Sequence, residues 1–225
     1  MFSQFLNSQV ALLLGAWLIY FTVHSALASI PVKRWIVSCQ PGLMPAYRLL
    51  FNLLAVILIL PPVYLLYTTE WAWLWRWSGP AWWLANGLAL LAVGLFFWTL
   101  SYYDSGEFIG IRQWRQRLRR VEDQERFHIS PLHRFVRHPW YFLGLVLIWT
   151  RDMNVGLFMS ALVTSLYLLI GSRFEEQKLG YYHGQVYARY RERVPGLIPN
   201  PWRFLTRRQA EELLADDRDD GNQHD

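Results

Sequence analysis

The chain has 225 residues, of which 53% are hydrophobic and only 17% charged, and its formal charge is +5. A soluble domain carries about 25% charged residues. Here the apolar residues are also gathered into long runs, which rules out an ordinary water-soluble domain and predicts a membrane protein of several spans. The basic excess is local: residues 1–204 carry 19 basic against 10 acidic side chains, whereas residues 205–225 hold seven acids against Arg207, Arg208 and Arg218.

The first apolar run covers residues 10–30, about the length a bilayer needs. It lacks the basic leader and cleavage-type sequence of a secretory signal, so it is read as a retained helix. His24 and Ser25 interrupt its end, Pro31 is expected to stop it, and Lys33 and Arg34 follow. The second span covers residues 47–67, with Arg48 and Asn52 one turn apart on a shared face and a kink expected at Pro61 and Pro62. Trp71, Trp73, Trp75, Trp77, Trp82 and Trp83 come next. Their alternation fits a strand, but an interfacial aromatic loop is the better reading. A third span covers residues 82–103.

Residues 104–138 form a polar stretch that holds Arg112, Arg115, Arg117, Arg119, Arg120, Arg126, Arg134 and Arg137. The positive-inside rule makes this loop cytosolic. The run 141–150 is too short to cross alone. With a turn at Arg151, Asp152 and Asn154 and a return over 155–171, it predicts a helical hairpin whose first arm is extended by the residues before it. Residues 173–203 are polar and aromatic and lie on the cytosolic side. The expected fold is thus an all-α bundle of about five transmembrane helices over residues 1–204, with the N-terminus outside and the C-terminal segment in the cytosol. Residues 205–225 are expected to be an acidic, disordered tail that begins with a short helix at 209–215. The lone Cys39 allows no internal disulfide, and without a CxxC pair no thiolate zinc or iron–sulfur site is expected. The arginines flank membrane spans, so lipid headgroups rather than nucleic acid are the expected partners.

Two segments carry chemistry. In Arg137-His138-Pro139-Trp140-Tyr141-Phe142-Leu143-Gly144, the proline disfavours helix at His138 and suits the first turn of the helix that follows. His138 then sits at a helix start that favours an anion, with Arg137 adding charge. A headgroup anchor is the plain alternative. In the stretch from Arg173 to Pro195, Glu175 and Glu176 follow an apolar helix directly. They suit a cavity for a cationic ligand, or else they are solvated or paired with Arg173 or Lys178. Tyr187 and Tyr190 share a helix face, either to stack on a ligand or to anchor the interface.

Together these segments resemble the membrane methyltransferases of the isoprenylcysteine carboxyl methyltransferase and phospholipid methyltransferase group. There an arginine-His-Pro-x-Tyr segment precedes a helical hairpin, a Glu-Glu pair follows, and a Gly-x-x-Tyr-x-x-Tyr-x-x-x-Val-Pro stretch closes the pattern. Gly184, Tyr187, Tyr190, Val194 and Pro195 fill that stretch here, and the likeness covers residues 129–199. His24-Ser25-Ala26, Lys33, Tyr47-Arg48-Leu49-x-Phe51-Asn52 and Glu107-Phe108-x-Gly110-x-Arg112-Gln113 further resemble a bacterial branch that includes methanethiol S-methyltransferase and NnrU-like proteins, which implies the bacterial inner membrane.

The resemblance implies S-adenosylmethionine as cofactor, held by Arg137, His138, Tyr141, Gly144, Glu175, Glu176, Leu179, Tyr187 and Tyr190. Arg137 and the helix start suit a carboxylate, the aromatic and apolar residues suit adenine, and the acids suit ribose hydroxyls or an amino group. The acceptor, a small molecule or lipid bearing a thiol, carboxylate or amine, is expected to meet His24, Arg48, Asn52 and Glu107, with Tyr103 nearby. A hydrogen-bonded core histidine, a lipid-binding arginine and a structural loop over 107–113 are the plain alternatives for these positions. A membrane reductase using NADPH is a second reading, since sterol-type reductases share the arginine-His-Pro-x-Tyr segment. They usually carry Asn before the Tyr and an acid after the Gly, where this chain has Trp140 and Leu145. A non-enzymatic transport or assembly protein is the third.

Overall fold

The computed structural model describes residues 2–118 and 128–221, with side chains over residues 8–118 and 128–215. Arg119, Arg120 and Arg126 of the basic loop lie outside these residues. The elements in chain order are α1 (Phe2–Ala28), α2 (Ile30–Cys39), a 3-10 turn (Pro41–Leu43), α3 (Met44–Thr68), β1 (Trp73–Trp75), α4 (Gly79–Leu100), α5 (Ser105–Ile109) and α6 (Ile111–Arg115). A second 3-10 turn (Pro131–Arg134), α7 (Pro139–Trp149), β2 (Met153–Asn154), α8 (Val155–Arg193) and α9 (Arg207–Gly221) complete the chain.

The architecture is that of an all-α polytopic membrane protein. Among the described residues, four segments are long and apolar enough to cross a bilayer: Ser8–Ala28, Pro41–Thr68, Gly79–Leu100 and Val155–Arg193. Their outward faces fit the solvent they are built for. Only 11% of the most apolar window of the first segment and 6% of that of the second are buried within the protein, and Leu18, Ile19, Leu53, Val56, Leu84 and Leu90 are exposed. In water those surfaces would aggregate; in hydrocarbon they are at rest.

The chain divides into two compact units. The first comprises Met1–Arg76, Tyr103–Gln124 and Asp152–Val163. In it α1 packs along α3, around a core of Leu13, Trp17 and Trp71. Trp17 donates its indole N–H to Ser160 Oγ at 2.8 Å, which ties α1 to the first turns of α8. The Trp-rich connector differs from the loop expected of it: Trp73–Trp75 forms a strand antiparallel to Met153–Asn154. Backbone groups at that depth need partners, and the turn before α8 supplies them. Pro31, expected to end the first span, instead lies in the first turn of α2, after Ser29, the place where a missing N–H costs nothing. Helix α3 runs on through Pro61 and Pro62.

The second unit comprises Trp77–Tyr102, Glu125–Arg151 and Thr164–Asp225. Here α4 packs on α7, with Trp140 Nε1 donating to the buried Thr99 Oγ1 at 2.9 Å. The first arm of the expected hairpin is extended by only two of the residues before it, Pro139 and Trp140. Helix α7 starts at Pro139 and has 11 residues, about 16 Å of rise against a core of about 30 Å. Pro139 denies helix to His138, and the N–H groups of Arg137 and His138 go to the carbonyls of Pro195 and Gly196 at 2.8 and 3.1 Å. The hairpin therefore has one short arm and one long one.

Helix α8 outruns the expected 155–171 because Gly184, at φ 45° and ψ −120°, breaks it only there; a side chain is rarely tolerated in that region of backbone space. The residues beyond the break supply Val186, Tyr187, Tyr190 and Val194 to a core with Ile129, Leu205, Ala210 and Leu213. The short helix expected at 209–215 is present and is longer, Arg207–Gly221, with Ala210 and Leu213 burying an apolar stripe in that core; residues 222–225 lie outside the described residues.

Candidate active site

In the second unit, Pro139 and the break at Gly184 together assemble a four-residue charged cluster. Glu176 Oε1 accepts from Arg137 Nη2 at 2.7 Å and from Arg137 Nε at 3.0 Å, and lies 3.1 Å from His138 Nε2. The other imidazole nitrogen, Nδ1, lies 3.4 Å from Glu175 Oε2, which also accepts from the Tyr141 hydroxyl at 3.1 Å. His138 is buried, with 6% exposure, and its ring stacks on Tyr141 at 5.3 Å and 12°. Burial alone would lower its pKa, but hydrogen bonds and charge from Glu175 and Glu176 outweigh burial and raise it above 6.5. With a carboxylate at each nitrogen, the doubly protonated ring is the form the geometry holds. When His138 is protonated, two cations balance two carboxylates beside the apolar core.

Arg137 is the hub of this cluster. Its Nη1 donates to the carbonyls of Arg191 and Val194, so one guanidinium closes the C-terminal end of α8 against the start of α7. The Val194-Pro195-Gly196 turn is therefore part of the site: its carbonyls hold both the backbone and the side chain of Arg137. Sequence reading used Val194 and Pro195 only as pattern matches and did not reach this role; a Pro-Gly pair after a helix was the available signal.

Of the other expected cofactor residues, Leu179 packs on the edge of the core, and Gly144 lies on α7 with open space where a Cβ would stand. Tyr187 and Tyr190 are 2% and 3% exposed, their rings 5.9 Å apart. The Tyr190 hydroxyl donates to the His133 carbonyl at 2.7 Å. These two tyrosines are core residues behind the charged cluster rather than an open wall. His133 itself bonds Ser130 Oγ through Nδ1 at 2.7 Å. Burial, then the charges of His128 and His138, push its pKa down to about 4.

The residues expected on the acceptor side lie in the first unit. Arg48 Nε donates to the Phe108 carbonyl at 3.1 Å, and Asn52 Nδ2 to the Ile109 carbonyl at 2.9 Å. The pair, one turn apart on α3, caps the C-terminal end of α5. Gly110 makes the approach possible: its φ is 101°, and a Cβ there would stand 2.8 Å from the Cβ of Arg48. Asp104 caps the other end of α5, accepting from the N–H groups of Gly106 and Glu107; these bonds, ahead of Arg112, hold its carboxyl below the usual range. Arg112 bridges Asp104 and Glu107, at 3.2 Å to each, and Gln113 donates to the Glu107 carbonyl. His24 lies against Tyr20 and against Phe51, the latter with ring centroids 4.9 Å apart. Tyr103 belongs to the same unit. The loop over 107–113 is thus both the expected acceptor region and a structural unit with its own caps.

No family model and no solved structure matches the chain. Known proteins do. The chain is 31% identical over 197 residues to methanethiol S-methyltransferase 2 of Bradyrhizobium diazoefficiens, a match covering 84% of this chain and 71% of that protein. It is 30% identical over 200 residues to methanethiol S-methyltransferase of Mycobacterium tuberculosis, covering 82% and 76%. A third, methanethiol S-methyltransferase of a Pseudomonas species, is 29% identical, covering 84% and 74%. These matches extend well beyond residues 129–199 and take in both units. The chain belongs to the methanethiol S-methyltransferase family of membrane methyltransferases.

Proposed function

We propose that this membrane methyltransferase uses S-adenosylmethionine to methylate the sulfur of a small thiol, methanethiol being the acceptor its relatives' names give. The charged cluster at His138 carries the reading. Its donor set fits the cofactor, because Glu175 Oε1 and Glu176 Oε2 make no hydrogen bond to another described residue. They are the acceptors that ribose hydroxyls or an ammonium group require. Arg137 and the start of α7 are assigned to the carboxylate, Tyr141 and Leu179 to the adenine, with Tyr187 and Tyr190 behind them and Gly144 open on α7. S-adenosylmethionine supplies a methyl group on a sulfonium, transferred by in-line displacement.

The chain's own residues bind, orient and exclude water. Arg48 and Asn52 act as positioning residues, since their polar atoms hold the loop that bears Glu107. His24 and Glu107 are the candidate bases for the thiol's proton; Glu107 is ion-paired to Arg112, which leaves His24 as the base not held in that pair. The product would be dimethyl sulfide. The basic loop over 104–138 supports a cytosolic C-terminal side in a bacterial inner membrane.

The test is calorimetric titration of the purified chain with S-adenosylmethionine and S-adenosylhomocysteine, with NADPH alongside, repeated on Glu176→Ala and His138→Ala. Dimethyl sulfide formed from methanethiol is measured in parallel. Saturable binding of the methionine-derived cofactor, weakened in both variants, is expected. Binding of NADPH instead, or no binding to folded protein, would overturn the proposal.

A further inference from the structure

A cavity of about 270 Å³ opens in the first unit, lined by Gly42, Pro45, Ala46, Trp114 and Arg117. Neither the Trp114 nor the Arg117 side chain makes a hydrogen bond or ion pair with another described residue. An arginine beside an indole, both left with open donors in a pocket, is a receptor for an oxyanion.

The backbone of Arg117 sharpens this. It is the one non-glycine residue with positive φ among the described residues, at 51°. It ends α6 in a left-handed turn, its N–H bonding the Trp114 carbonyl at 3.2 Å and the next N–H, of Leu118, bonding the Gln113 carbonyl at 3.0 Å. Glycine is the residue that suits this place, and any side chain there strains the turn. An arginine held at such a point places its side chain at the lining of the pocket.

The surroundings identify the oxyanion's carrier. Trp35, on the α2 helix that packs against the Pro41–Leu43 turn, is exposed, as is Trp114. Tryptophans exposed at one end of a span belong at headgroup level. Along α3, beyond the pocket, Leu50, Leu53 and Ile57 are exposed and offer a surface for acyl chains. Lys33 and Arg34 mark the same end as the one that faces an anionic leaflet. We propose that the pocket holds the phosphate of an anionic phospholipid, with its chains lying along α3.

The experiment follows thermal unfolding of the full chain in mild detergent by tryptophan fluorescence. Dioleoylphosphatidylglycerol, dioleoylphosphatidylcholine and inorganic phosphate are titrated in turn, on the wild type and on Arg117→Gly. Phosphatidylglycerol should raise the wild-type midpoint by several degrees more than phosphatidylcholine. Without lipid, Arg117→Gly should unfold no earlier than wild type, because glycine relieves the left-handed turn. Its apparent affinity for phosphatidylglycerol should nevertheless fall about fivefold, the share of one arginine near an anionic surface. Equal shifts from the two lipids, or an Arg117→Gly titration that overlays the wild type, would overturn the site. Earlier melting of the lipid-free variant would do the same, since the arginine would then serve the fold. An equal shift from inorganic phosphate would overturn the lipid as its source.

Discussion

The two units solve the same problem, holding polar groups beside apolar helices, in opposite ways. In the second unit charge is set against charge: Arg137 and His138 face Glu175 and Glu176, and the pair Arg137–Glu176 is only 11% and 12% exposed. In the first unit Arg48 Nε and Asn52 Nδ2 donate to neutral carbonyls, and the carboxylates of the neighbouring loop, Asp104 and Glu107, share Arg112 at the surface with 53% and 41% exposure. Arg137, His138 and Glu176 are largely shielded from solvent, and losing one of these three leaves an uncompensated charge. A cap on a short helix can loosen by a bond at a time. On the proposed function, the first arrangement suits a cofactor held in one pose, the second a loop that admits an acceptor.

The largest expected effect breaks the charged cluster. Glu176→Ala leaves Arg137 and His138 facing Glu175 alone. Removing one partner of a buried pair costs about 3 kcal/mol, and the midpoint of denaturant unfolding should fall accordingly. Cofactor affinity should fall by at least tenfold in whatever protein remains folded. If Glu176→Ala unfolds as wild type does, the cluster is not the rigid element of the second unit and the contrast drawn above is lost.

The next effect belongs to the first unit. Gly110→Ala puts a Cβ 2.8 Å from that of Arg48 on a backbone hostile to side chains, at a cost of about 2 kcal/mol. The α5 helix should lift from α3, so the apparent KM for the thiol should rise while cofactor affinity stays unchanged. Equal damage to both constants would mean that the two regions do not act separately. Asn52→Ala, which removes a single bond to the Ile109 carbonyl, should repeat the pattern at about 1 kcal/mol.

Much of this was legible in the sequence, for reasons that differ by residue. The four long spans follow from hydropathy, since hydrocarbon admits few other solutions. Pro139 fixed the start of α7 and placed His138 at its N-terminus, because proline acts locally. Glu175 and Glu176 stood out as acids after an apolar run, where only a partner makes them tolerable. What the sequence hid was non-local. That Arg137 bonds carbonyls 54 and 57 residues away depends on the Gly184 break, whose direction no periodicity reveals. Tyr190 reads equally well as a stacking wall or a core residue until its hydroxyl is found on the His133 carbonyl. The Trp73–Trp75 strand needed a partner far along the chain, at Met153–Asn154, and a three-residue pattern is too short to announce one. In the tail the sequence marked a short helix at 209–215 but not its extent: acids dominate the composition, while Ala210 and Leu213, which dock it, are few.

The smallest effect is a slope rather than a loss, and it tests whether the charge balance of the second unit is real. His138 has a raised pKa because Glu175 and Glu176 from α8 favour its protonated form against the opposing burial. Arg137 beside it and the neutral His133 are the other titratable neighbours, with Tyr141 stacked on its ring. A group whose pKa is raised on folding stabilises the fold fully below its ordinary value of 6.5 and loses that contribution as pH rises through the raised value. The lowered pKa of His133 works the other way: it costs stability below 6.5, where the unfolded chain takes up a proton the fold resists, and is silent above it. Unfolding midpoints measured between about pH 5 and 8 should therefore show the wild type losing stability on the alkaline side of 6.5, where His133 is silent. His138→Gln, which keeps a donor but no titration, should be flat over that interval. If both proteins decline together there, the alkaline slope comes from elsewhere, His138 is neutral in the fold, and the second unit is held by the Arg137–Glu176 pair alone.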